Sequence, residues 1–423
     1  MNKLWTVLLL LVTGLGSAFA QHHDAHQSSQ RVSTSEPATP CKEPTLNCAR
    51  AATPYFAPDG SLWVVWAANG VIAVARSTNM GTKFEPTIEI AKHGTFLDTG
   101  PDARPQLVGN KAGDMTIAYA FFKDKKWNAQ VNLSTSVDQG RTFSTPVAVT
   151  TDPASQRFAS LTVDPKGQLF VAWIDKRLVA QAKNEGKKAL GGSIAFAWSG
   201  DMGKTFSPAT IAQTDSCECC RIGVSLTPQG LPVMIYRAIF NDKVRDHATQ
   251  LVLNETQTAP AERVARDNWE TDSCPHHGPS ITVSSLGTYH AAWFTEGSAR
   301  SGSFYARSTD AGQHYSAPQT IGNPKAQPAR PYLLAQNQTI WMVWKEFDGR
   351  RAVIYLKRST DDGVSWSKPK QIAETVGYSD HPLLIEKKSL VYLSWLTAAQ
   401  GYRLIPLDTD HSIISANDDS RPN

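Results

Sequence analysis

The sequence predicts an all-β chain of short antiparallel strands arranged as a β-propeller, and three observations carry that prediction. Composition is the first: 423 residues hold 12 Trp, 28 Gly and 25 Pro, with hardly any stretch of 3.6-residue apolar periodicity. The second is a cassette that recurs seven times: an apolar strand, a glycine or polar turn, a second strand with an aromatic six positions past that turn, a third strand and a tight turn. The third is a signature at the tight turns, S-x-D-x-G-x-x-aromatic, at spacings of 51 to 63 residues with one doubled gap. Cassettes of about 50 residues with four strands each describe propeller blades.

Taken in chain order, residues 1–20 carry Lys3, an apolar run from Leu4 to Leu15 and the A-x-A pattern Ala18, Phe19, Ala20. They read as a signal peptide, which implies a periplasmic or secreted protein. No later apolar run approaches the roughly 20 residues of a membrane-spanning helix. Residues 21–40 are polar and read as a disordered leader. Cleavage after Ala20 would expose Gln21, His22 and His23, a free amine with histidine in third place, which chelates Cu(II). The propeller is expected over 41–410, with a flexible tail over 411–423. Without Lys3 the chain has 41 basic against 38 acidic residues, no footprint for nucleic acid, and a monomer is expected.

The seven second-strand aromatics are Trp66, Tyr119, Trp173, Tyr236, Trp293, Trp344 and Trp395. The tight turns are "SVDQGRTF" from Ser136, "SGDMGKTF" from Ser199, "STDAGQHY" from Ser308, "STDDGVSW" from Ser359 and a variant, "STNMGTKF", with Asn79 in place of the acid. A carboxylate there accepts bonds from turn amides, glycine takes φ > 0, and the aromatic packs beneath the hairpin. These turns resemble the Asp boxes (BNR repeats) of the sialidase superfamily and its propeller relatives, over nearly the whole mature chain. Seven blades are favoured, with a six-bladed ring plus an appended hairpin as the alternative. The last cassette offers three strands, and "KEPTLNCA" (Lys42 to Ala49) mirrors the outer strand of the first blade, "FEPTIEIA". An N-terminal strand is therefore expected to complete the last blade and remove its open edge.

In a propeller, loops entering the innermost strand and loops joining strands two and three share one face. Entry loops bring Arg104, Arg157, Arg221, Arg330 and His381 there. Second-to-third-strand loops add Arg237, Asp242, Arg245, Asp246, His247 and Glu296, a polar and cation-rich mouth suited to an anionic or metal-bearing ligand. An insertion, Asp175 to Gly192, would overhang it as a lid.

Two entry loops on adjacent blades share the start TDSC: "TDSCECCRIG" and "TDSCPHHGPS". Cys219 and Cys220 in one correspond to His276 and His277 in the other. Thiolate and imidazole ligands suit copper or zinc, with softness favouring Cu(I). Both members of a vicinal pair reach one ion only if the loop bends, and Pro275 and Gly278 supply a bend. Candidate disulfides are Cys41 with Cys48, if the segment between is not extended, and Cys217 with Cys274; a vicinal Cys219 to Cys220 bridge or a Cys219 to Cys274 bridge compete with the metal site.

The reading that follows is an exported propeller binding copper or zinc through Cys219, Cys220, His276 and His277, for metal handling or contact with an exported partner or metal donor. One alternative is a sialidase-like glycoside hydrolase. The resemblance implies for it an arginine cluster, an aspartic acid/base and a tyrosine nucleophile with a glutamate partner. Arg104, Arg245, Arg330, Asp246, Glu296 and Tyr402 are the candidates, although none lies in a matching motif and the R-I-P signature is absent from the first inner strand, "TPYFAPDG". A metal-free interaction propeller is the third reading.

Overall fold

The computed structural model describes residues 41–272 and 275–407. The expected signal peptide, the leader with Gln21, His22 and His23, the tail and Cys274 lie outside them. Seven antiparallel sheets succeed one another along the chain, spanning 52–92, 97–148, 156–216, 223–263, 280–320, 329–376 and 383–407. These are the seven blades of a propeller. Strand order within each follows chain order, so every connection is a hairpin. In the second blade the innermost position is divided, because Gln106–Gly109 and Leu97–Asp98 both pair with Met115–Phe122.

The aromatic at the same place in each second strand is buried in all seven blades, none more than 3% exposed. Burying one such side chain stabilises by about 1.5–3 kcal/mol, and the polar edges are matched. Trp173 Nε1 donates to Asp175 (2.9 Å), Trp293 Nε1 to Asp267 (2.7 Å) and Trp344 Nε1 to Glu346 (2.8 Å). Apolar clusters between successive blades form the core.

The Asp boxes form as the sequence predicts. In the second blade Ser136 Oγ donates to Asp138 (2.8 Å) and accepts from Gly140 N (2.8 Å), while Thr142 N donates to Asp138 (2.9 Å). The pattern repeats at Asp201, Asp310 and Asp361. Asn79 replaces a carboxylate with an amide oxygen and keeps the bonds to Ser77 Oγ and Lys83 N, both 2.9 Å. Gly140 sits at φ +83°, which explains the glycine.

The expected N-terminal closing strand does not form. A disulfide joins Cys41 to Cys48 with Cα atoms 5.4 Å apart, whereas a fully extended step of that length spans roughly 23 Å. The bridge therefore compacts the segment into a loop ending in a 3₁₀ turn, Leu46–Cys48. The loop still fills the junction of first and last blades: Pro44 O accepts from Trp66 Nε1 (3.0 Å), and Leu46 packs with Leu396 and Leu404. The last blade keeps three strands among the described residues. The ring closes instead through Asp380, which accepts from Ala52 N (3.0 Å) and from Arg104 (2.6 Å).

Candidate metal centre at the channel mouth

The inner strands of all seven blades surround a cavity of about 430 Å³. At its mouth the entry loops converge as expected. Asp102 accepts from Arg221 (2.9 Å) and Arg330 (3.2 Å), and Arg221 lies 3.4 Å from the Nδ1 of buried His381. Arg330 also donates to His276 O. Arg104 is taken by Asp380 in a buried pair, and Arg157 by Asp98 (2.7 Å). Lys345 donates to Ser379 O (3.2 Å), and burial pushes its amine down to about 8. One carboxylate thus serves two guanidiniums beside a buried amine, and the mouth is electropositive. Sequence reasoning missed Asp102 and Lys345, which lie among many similar loop and strand charges with no motif to mark them.

The sulfur loop is positioned by the seam between blades three and four. Strand Thr210–Ser216 ends by bridging Ser216 to Ala238, and the next amide, Cys217 N, donates to Arg237 O (2.9 Å). The turn that follows directs three thiols inward. Cys217, Cys219 and Cys220 are each no more than 3% exposed. Cys217 Sγ lies 3.4 Å from Cys219 Sγ and 3.5 Å from Cys220 Sγ, and all three sulfurs fall within 4.8 Å of one another. Hydrogen bonds from Cys219 and Cys220, aided by the Arg237 charge, hold the Cys217 thiol well below its usual value. Cys220, the donor in that arrangement, is pushed up to about 12. Cys217, expected as half of a disulfide, is therefore the centre of the cluster; among the described residues, which leave out its expected partner Cys274, neither it nor Cys220 is bridged.

The histidine loop meets the sulfur loop directly. A Cβ on Gly278 would lie 2.1 Å from Arg221 Cγ and 3.1 Å from Arg221 N, so only glycine permits this approach. The bend expected here is present, with His276 at φ +50°. It sends the two imidazoles to different neighbours. His277 stacks on Phe294 of blade five (centroids 4.1 Å apart) with Nδ1 unpartnered among the described residues, while the His276 ring lies 6.4 Å from Phe158 of blade three. Burial lowers both pKa values, that of His277 strongly with the help of Arg330, which keeps these rings neutral at pH 7.

Arg237 and His247, expected to face the open mouth, lie buried beneath it. Arg237 donates to His277 O (3.3 Å) and Phe294 O (3.1 Å), and its guanidinium rests over Trp269 at 4.2 Å. Among the described residues its Nε and Nη1 have no hydrogen-bond partner, and neither has either ring nitrogen of His247. Burial, then the Arg237 charge, drives the His247 pKa well below its usual value.

The hydrolase candidates do not assemble. Asp246 is buried against Arg263 and accepts from the amides of Asp267, Asn268 and Trp269, so it fastens the loop carrying Trp269. Arg245 donates to Thr271 O (2.6 Å). Glu296 is exposed at a strand end. Tyr402 packs against Phe84, its hydroxyl accepting from Ser394 at 3.0 Å. Among the described residues no hydrogen bond or ion pair joins Asp246, Glu296 or Tyr402 to Arg104 or Arg330. The insertion contains a helix, Arg177–Asn184, started by Asp175, which binds Arg177 through its amide and guanidinium. Lys176 pairs with Glu218, tying the insertion to the sulfur loop.

No family model matches the chain, and no curated protein matches it in sequence. Among solved structures it is similar to a polysaccharide lyase, PL25 ulvan lyase bound to -[GlcA(1-4)Rha3S]-, with TM-score 0.54, 10% identity, and 82% of this chain and 89% of that one covered. At this identity the likeness shows the fold alone, that of a β-propeller. A Hadza microbial sialidase aligns with TM-score 0.47 at 15% identity over 82% of this chain and 76% of its own. An α-L-arabinanase of Penicillium chrysogenum aligns with TM-score 0.45 at 17% identity, over 75% of this chain and 91% of its own. A shared fold of this kind leaves the activity open.

Proposed function

We propose that the protein is an exported, noncatalytic propeller that holds one soft transition-metal ion, copper before zinc, in the wall of its channel mouth, for metal handling or for exchange with an exported partner. The observation that supports this most is the three-sulfur cluster. A metal bound to sulfur at about 2.3 Å in tetrahedral geometry spaces its sulfurs by about 3.8 Å. The present separations of 3.4 and 3.5 Å need only a few tenths of an ångström of expansion. Thiolates select Cu(I) or zinc over harder ions, and the lowered Cys217 pKa favours the thiolate form. Purified protein loaded anaerobically with Cu(I) or zinc should retain about one equivalent, and Cys217→Ser with Cys220→Ser should lose it. Equal retention by that double variant would sink the reading.

A second reading, an acidic saccharide at the same mouth, is favoured by the two guanidiniums sharing Asp102 above the cavity. A fluorogenic sialoside or a sulfated uronate oligosaccharide is the probe, and turnover lost in Arg330→Ala would establish it.

A further inference from the structure

We infer that His247, rather than His276, supplies the imidazole ligand of this metal site, and that Arg237 supplies the counter-charge to its thiolates; this inference rests on the metal reading above. Arg237 and His247 are directly opposed in register on the second and third strands of blade four. Opposed residues in an antiparallel pair project from the same face with Cβ atoms about 5 Å apart. That face looks toward blade five, because Arg237 reaches His277 O and Phe294 O there. Two positions along the third strand, Thr249 on the same face bonds Tyr315 of blade five at 2.9 Å. Cys217 is fastened to Arg237 by its amide, so the sulfur loop is anchored to the strand that carries the guanidinium and pairs with that of the imidazole; the His247 ring nitrogens lie outside the three-sulfur group, and the ring would turn toward it to ligate.

Among the described residues, several buried polar atoms here are unpartnered: Nε and Nη1 of Arg237, both ring nitrogens of His247 and Nδ1 of His277. A buried polar group without a partner is costly to keep, and such groups ordinarily mark an ion or water that completes them. His247 has an exposure of 1%, so bulk water does not reach it. A metal on the sulfur cluster would engage one ring nitrogen of His247. The guanidinium makes no ion pair with any described carboxylate, and thiolates would give it the negative charge a buried cation requires. His276 is a poorer ligand, since its carbonyl is held by Arg330 and its ring lies toward Phe158.

The test is X-ray absorption on full-length protein loaded with Cu(I) or zinc, in wild type, His247→Ala, His247→Gln and His276→Ala. The wild type should show sulfur scatterers at about 2.3 Å with one imidazole at about 2.0 Å. His276→Ala should keep that imidazole signature; His247→Ala and His247→Gln should lose it and weaken metal affinity about 100-fold, at the upper edge of the 10–100-fold typical of residues that merely orient a ligand, so the loss of the imidazole scatterer is the deciding readout. Loss of the signature in His276→Ala with retention in the His247 variants would overturn the assignment while leaving the metal reading intact. Should either His247 variant fail to fold, an unchanged signature in His276→Ala still upholds the exclusion of His276, and its loss there still overturns the inference. Wild-type protein that holds neither ion would remove the reading and the inference with it.

Discussion

The two faces of this propeller use the same residue types to opposite ends. On the Asp-box face each carboxylate is saturated by its own turn: Asp361 accepts from Ser359 Oγ (2.7 Å), Ser365 N (2.9 Å) and Ser365 Oγ (2.5 Å). At the mouth, polar groups outnumber their partners, with Arg221 and Arg330 drawn to Asp102 and Arg237 and His247 left with open valences. Satisfied polar groups identify scaffold, and unsatisfied ones identify the place where something else belongs.

The largest expected effect breaks the contrast, because one pair at the mouth behaves as scaffold. Asp380→Ala removes the carboxylate that pairs with buried Arg104 and should cost about 3–5 kcal/mol, read as a lower urea midpoint. Metal loading sharpens the contrast: with free ion a hundredfold above Kd, stability should rise by about 2.7 kcal/mol, and Cys220→Ser should erase that gain while leaving the metal-free midpoint nearly unchanged. On the opposite face, hydrogen bonds from Ser365 hold the Asp361 carboxyl at about 2. A depressed folded value means the contribution is complete above the unfolded value of about 3.9 and is lost as pH falls toward 2. Asp361→Asn should therefore flatten the acid limb of the stability profile by a small amount. Smallest is Lys345, whose amine titrates near 8: any anion held at the mouth should bind more weakly as pH rises through 8, and Lys345→Met should remove that dependence.

The scaffold was legible because its determinants are local. An Asp box is eight consecutive residues whose hydrogen bonds close within themselves, and Trp66 through Trp395 mark second strands by spacing alone. The junction of the ring was misread because two local signals competed: the strand-like "KEPTLNCA" and the cysteines around it. Loop closure by the disulfide prevailed over extended pairing. At the site, the matching TDSC loops identified the correct pair of neighbours, and Gly278 against Arg221 shows that they touch. Sequence did not distinguish His247 from the surface charges beside it, since burial of a strand-end histidine depends on what the next blade lays over it. The pairing of Asp102 with two arginines likewise spans 119 and 228 residues, beyond any local pattern.

Ring closure through Asp380 also sets an order of events in folding. The residues it joins are 328 and 276 positions apart in the chain, so this contact carries nearly the maximum loop-closure cost and forms late. Blades one to six can pair internally as each hairpin becomes available, yet the first blade keeps an exposed flank until the last one arrives. A chain synthesised N-terminus first passes through a stage in which that flank is still open, the stage at which it is most prone to association with other chains.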